Sequence, residues 1–169
     1  MNTKVDQPSK TDGPPHPYLA ELMAMKEQSL KELAKIENPH LYRFLWLRTF
    51  HQPIDLRISI GPNGTASLVI KMASGSGGYG IGQIVVDKSR DLSKRKVAAF
   101  LKYLDEADFW NIAPLDRSEM GCDGAQWTLE GLKEGKYHFV DRWCPEDGAF
   151  RKAALFLVKQ SKLKIKEIY

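Results

Sequence analysis

The hydrophobic positions of this chain change period several times, and each change marks an element. From Tyr18 to Ile36 the residues Leu19, Leu22, Met23, Leu30, Leu33 and Ile36 recur at helical spacing, and Asn38-Pro39 ends the run. Leu41 to Phe50, with Tyr42, Phe44, Trp46 and Leu47, predicts a strand buried on much of both faces, and Pro53 breaks it. Ile54, Leu56, Ile58 and Ile60 then alternate strictly with Asp55, Arg57 and Ser59, the pattern of a half-buried strand. Pro62-Asn63-Gly64 predicts a hairpin turn into a strand over Ser67 to Met72. A glycine-rich loop, Ser74 to Gly82, leads to Ile84-Val85-Val86.

Asp91-Leu92-Ser93 opens a helix with the stripe Val97, Phe100, Leu101 and Leu104, which ends before Trp110 and Pro114. Two alternating runs follow, Ala125 to Gly131 and Lys136 to Trp143. A last helix spans about Asp147 to Lys162, with Phe150, Ala154, Leu155, Leu157 and Val158 facing inward. Beyond it, lysines alternate with apolar residues from Lys162 to Tyr169, the pattern of an edge strand protected against aggregation. No strand–helix–strand repeat occurs. The order predicts an α+β fold: a single-domain antiparallel sheet of about six strands with helices packed on one face. Residues 1–16 are polar and proline-containing and predict a disordered tail, leaving 17–169 as the domain.

The hairpin carries the most chemistry. A three-residue loop, Lys133-Glu134-Gly135, with Gly135 at positive φ, sets Leu132 opposite Lys136. Trp127, Leu129, Tyr137, Phe139 and Trp143 then share one side. Gln126, Thr128, Glu130, His138 and Arg142 share the other, with Glu130 opposite His138 and Gln126 opposite Arg142.

Composition narrows the classes. The chain has 169 residues, 43% hydrophobic and 27% charged, which suits one globular domain. No apolar run approaches the roughly 20 residues of a membrane helix, so no membrane partner is expected. The N-terminus lacks the apolar core of a secretory signal, and the expected compartment is the cytoplasm. From Arg151 onward there are six Lys/Arg and one Glu, a balance of +5 that leaves −1 elsewhere in a chain of net charge +4. Basicity confined to the C-terminal segment argues against nucleic acid as the main partner. Cys122 and Cys144 bracket the hairpin, slightly offset in this register, so a bridge is conceivable but not the favoured reading.

Familiar motifs fail on their mechanics. Gly75-Ser-Gly77-Gly78-Tyr79-Gly80 matches G-x-G-x-x-G, but a strand follows where a helix N-terminus must hold the pyrophosphate. Kinase and Walker signatures are missing. What remains is a loop carrying one exposed aromatic, Tyr79, on a flexible tether. His16, His40, His51 and His138 show no paired ligand spacing, so neither a metal nor a cofactor is expected. The tryptophans at 46, 110, 127 and 143 sit among apolar neighbours and are expected in the core. Glu130 and His138, with Asp123 assisting, could serve as an acid/base pair in a small hydrolase or transferase. The C-terminal lysines could serve an RNA-associated factor.

Asp123-Gly-Ala-Gln-Trp127, Leu129-Glu-Gly131, Tyr137-His138, Asp141-Arg-Trp143, Pro145, Gly148 and Phe150-Arg151 carry a resemblance to small bacterial proteins of unassigned biochemistry. Tyr42-Arg-Phe-Leu-Trp-Leu-Arg48, the glycine loop and Asp108-Phe-Trp110 support it. Such proteins resemble immunity partners of secreted bacterial toxins. The resemblance implies a non-enzymatic binding protein whose partner is a cognate toxin domain. Tyr79, Asp123, Gln126, Glu130, His138 and Arg142 are the expected partner-binding residues.

Overall fold

A computed structural model describes residues 16–35, 39–116, 121 and 123–169. Most of the expected tail, Ile36 and Cys122 lie outside the described residues, and with Cys122 the question of a bridge to Cys144. Two short helices, α1 (Leu19–Ala24) and α2 (Leu30–Leu33), precede four strands: β1 (Leu41–Arg48), β2 (Ile54–Ile60), β3 (Ala66–Ala73) and β4 (Ile84–Leu92). Helix α3 (Lys94–Glu106), strands β5 (Ala125–Lys133) and β6 (Lys136–Trp143), and helix α4 (Gly148–Ser161) complete the order. The six strands form one antiparallel sheet, β4-β3-β2-β1-β5-β6, and the chain is an α+β domain. After the β1–β4 meander, α3 carries the chain back across the sheet so that β5 lies against β1.

β1 is therefore central, and all eight of its residues are buried. Its Tyr42, Phe44 and Trp46 point toward α3 and α4, joining Phe100, Leu104, Ala154 and Leu157 in the main core. Trp46 and Trp127 anchor that core with ring centroids 5.0 Å apart. Trp110 and Trp143 are only half-buried. Helices α3 and α4 show the inward stripes expected of them, with Val97, Phe100 and Leu104 on one and Phe150, Ala154, Leu157 and Val158 on the other.

The opposite sheet face is covered too. The apolar run expected as one helix from Tyr18 to Ile36 is broken into α1 and α2, with Lys26 at φ 54 between them. This strap lies across the second face, its Leu22 and Met25 packing on Leu45, Leu47 and Ala73, and its Leu30 on Leu41 and Leu132. The alternation in β2 predicts a half-buried strand because nothing in it announces this second cover, yet Asp55 is 1% exposed. His16, assigned to the tail by composition, is buried beside Glu130.

The hairpin register differs from the sequence expectation by one residue. Glu134 and Gly135 both take positive φ, 52° and 72°, so the loop has two residues and Lys133 faces Lys136. Glu130 stands opposite Phe139, and His138 opposite Gly131. Because side chains alternate along a strand, this slip moves His138 and Arg142 to the face of Trp127 and Leu129. Tyr137, Phe139, Asp141 and Trp143 move to the face of Glu130.

The C-terminal segment forms no strand. Instead Leu163, Ile165 and Tyr169 pack against the main core, and the Tyr169 main-chain oxygen accepts from Trp127 Nε1 at 2.9 Å. Its alternation serves packing on the core rather than sheet pairing. Among the described residues, no helix is long and apolar enough to cross a membrane.

Candidate functional site

Two features stand out: a buried ionic cluster beneath the strap, and an exposed aromatic pair at one end of the sheet.

The cluster centres on Arg43, which is fully buried in the middle of β1. Burial disfavours a charge, so such a guanidinium persists only with partners. It has three. Nη1 donates to Glu130 Oε2 at 3.1 Å, Nη2 donates to Glu27 Oε2 at 3.1 Å, and Nε lies 3.4 Å from Asp55 Oδ1. Nη2 also donates to the Gln28 carbonyl at 2.6 Å. Glu27 takes further donors from Arg57 Nε at 2.8 Å and Lys71 Nζ at 2.6 Å. Tyr137 donates its hydroxyl to Glu130 at 2.9 Å, and His16 Nε2 lies 3.5 Å from the same carboxylate.

The charge states follow from this geometry. Burial pulls the Arg43 guanidinium down, but Asp55, Glu130 and Glu27 outweigh it and hold the group above its usual range. Burial pushes Glu27 up, yet bonds from Lys71 and Arg57 and the charge of Arg43 leave it lowered. For Asp55 burial wins over Arg43, and its carboxyl is pushed up to about 7. Burial holds the His16 imidazole below its usual value, with Glu130 opposing only in part.

At the end of the sheet, the glycine loop folds on itself and onto β1. Gly75 N–H donates to the Ile81 carbonyl and Ser76 N–H to that of Gly80, each at 2.8 Å, while Gly77 N–H reaches the Arg48 carbonyl at 2.8 Å. A Cβ at Gly77 would lie 2.6 Å from the Arg48 nitrogen, so only glycine permits this approach. The loop is thus a docked, hydrogen-bonded platform rather than a flexible tether. Tyr79 stands on it 80% exposed, its ring centroid 6.2 Å from that of Phe50, itself 55% exposed. Beside them lies a cleft of about 350 Å³ whose walls include Tyr18 and Glu21 of the strap segment, Thr49, Tyr79, Gln126 and Trp143.

Of the six residues expected to bind a partner, Tyr79 and Gln126 meet at this cleft. Asp123 is exposed and adjoins Gly124, whose carbonyl accepts from Thr49 N–H at 2.9 Å, putting it near the same end. The other three are elsewhere. Glu130 is fully buried in the ionic cluster. His138 packs edge-on against Phe109 on the opposite face, with centroids 5.2 Å apart and Nε2 3.2 Å from the Ile112 carbonyl. Arg142 donates to the Ala113 and Pro114 carbonyls at 2.8 and 3.2 Å, securing the segment after α3. The shared polar face of Glu130, His138 and Arg142 does not exist, and Glu130 and His138 cannot act on one substrate atom.

The cluster itself was missed, although one signal pointed to it. Arg43 falls inside the apolar run from Leu41 to Leu47, and a cation within such a run demands buried anions. Among the described residues no set of His, Cys, Asp and Glu is arranged to hold a metal ion. No family model matches the chain, and no curated protein is significantly similar to it.

Proposed function

We propose that this chain is a non-enzymatic binding protein whose partner docks where Tyr79 and Phe50 stand. The observation that carries the reading is the presentation of Tyr79. A large aromatic ring is held in water at the tip of a loop whose close glycine packing fixes its position. Rigid aromatics of this kind serve interfaces well, because they bury much area while losing few rotamers. The neighbouring cleft adds the polar edge that gives register to a docked surface, with Glu21 and Gln126 at its wall.

The resemblance of the hairpin to small bacterial proteins akin to toxin-immunity partners supplies the class of partner: a secreted toxin domain. Bound in this way, the chain inhibits by covering the toxin's active site and performs no chemistry of its own. The test uses the purified chain and the product of the gene that neighbours its own, assayed for toxin activity. The expected result is a stable complex in which toxin activity stops, and an affinity about 30-fold weaker for Tyr79→Ala. Absence of any complex, or a complex indifferent to Tyr79 and Phe50, rejects the proposal.

A further inference from the structure

Arg43 and Arg57 are direct partners across β1 and β2, and Lys71 on β3 stands opposite Asp55 of β2. Like charges directly opposed on neighbouring strands repel. Three adjacent strands have therefore placed three cations on one patch of one face, where an anion must sit. Glu27 provides it, with Oε2 accepting from Arg43 and Arg57 at 3.1 and 2.8 Å and Oε1 lying 2.6 Å from Lys71 Nζ.

The receptor and the anion come from different parts of the molecule. All three cations belong to the sheet, and Arg43 is also held there by Glu130 of β5 and Asp55 of β2. The strap brings the carboxylate and two main-chain carbonyls, those of Lys26 and Gln28. It also has little regular structure of its own. Its helices have six and four residues, too short to persist alone. Lys26, next to Glu27, is held at φ 54, a left-handed conformation that costs a lysine energy and that release of the strap would relieve. The Arg57 side chain is 26% exposed, which leaves an edge of the patch open to solvent.

We infer that Arg43, Arg57 and Lys71 form a carboxylate-binding site built on the sheet. Glu27 fills this site from within the chain, and an acidic side chain of a peptide segment takes it when the strap lifts. The strap that covers this site also lends Tyr18 and Glu21 to the cleft beside Tyr79, but the two readings are tested on different residues with different ligands and so fail separately.

The experiment uses the full chain and its Glu27→Ala variant, with propionate as the free carboxylate and hexaglutamate as the peptide. Propionate is expected to raise the melting temperature of Glu27→Ala by several degrees beyond chloride at equal ionic strength, saturably, and to leave the parent chain unchanged. If Glu27→Ala does not fold in chloride, the same readout is recovery of its far-UV circular dichroism in propionate. Hexaglutamate is expected to bind Glu27→Ala about tenfold tighter than the parent, because the internal competitor is gone, and Lys71→Met added to it abolishes the gain. A propionate response no larger than that to chloride overturns the site. Equal hexaglutamate affinity in all three chains overturns its occupation by a peptide.

Discussion

Glu130 is the cross-strand partner of Phe139, and its carboxylate lies beneath the strap while His138, one residue back along β6, emerges on the α3 side. One step of register thus separates two ionisable groups by the full thickness of the sheet. Their substitutions must then differ sharply. Glu130→Ala strips Arg43 of a buried partner and leaves the Tyr137 hydroxyl unpaired, an expected loss of about 3–5 kcal/mol. His138→Ala removes a half-buried ring edge and one long hydrogen bond, an expected loss of about 1 kcal/mol. Urea denaturation of both variants measures the contrast, and equal losses would place the two side chains in one environment after all.

The same register rests on the turn. Glu134 occupies the first central position of a two-residue loop at φ 52, where an acidic side chain gains nothing and glycine or asparagine is favoured. Glu134→Gly is expected to stabilise the protein by roughly 0.5–1 kcal/mol, measured as a higher urea midpoint. In the three-residue loop that the sequence suggested, Glu134 sits in a right-handed turn and the same change destabilises. The sign of the effect decides between the two loops.

These details mark where the sequence was readable. The meander, the two long helices and the hairpin follow from period and turn residues, because their apolar stripes meet in the main core between the sheet and α3 and α4. The hairpin register did not, since it turned on whether a non-glycine residue would accept a left-handed conformation. The gain that pays for it is remote in sequence: Asp141, on the strap side only in this register, accepts from Gln126 at 2.6 Å, Thr128 at 3.1 Å and Tyr18 at 2.9 Å. The ionic cluster was illegible for a related reason. Asp55 and Arg57 alternate with isoleucines as solvent-facing residues do, and only the strap, folding back over them, turns that face into an interior. Tyr79 and Gln126, both named from the sequence, line one cleft, although Gln126 stands opposite Trp143 and not opposite Arg142 as the expected register has it.

The glycine platform separates loop position from anchor. Gly77→Ala forces the loop away from the Leu47–Arg48 backbone, with an expected loss of about 1–3 kcal/mol in thermal or urea unfolding. Tyr79→Ala removes only an exposed ring and is expected to change stability by less than about 0.5 kcal/mol. A large destabilisation by Tyr79→Ala would mean that the ring serves the fold, and the proposed docking surface would lose its anchor.

Asp55 sets the pH dependence of the cluster. Burial outweighs Arg43 and pushes its carboxyl in the folded chain up to about 7 from the ordinary 3.8, so the folded state binds the extra proton between those values. Its favourable contribution is complete below the lower value and is lost as pH rises through the upper one. Glu27 and His16 run the other way: both are lowered, so what they contribute is lost as pH falls. Asp55→Asn keeps the shape and removes only the first trend. The stability of Asp55→Asn relative to the parent is therefore expected to climb by on the order of 2–4 kcal/mol between about pH 4 and pH 8. Urea midpoints of the two proteins across that range give the difference directly. A difference that stays flat means that the carboxyl is ionised throughout and that Arg43, not burial, governs it.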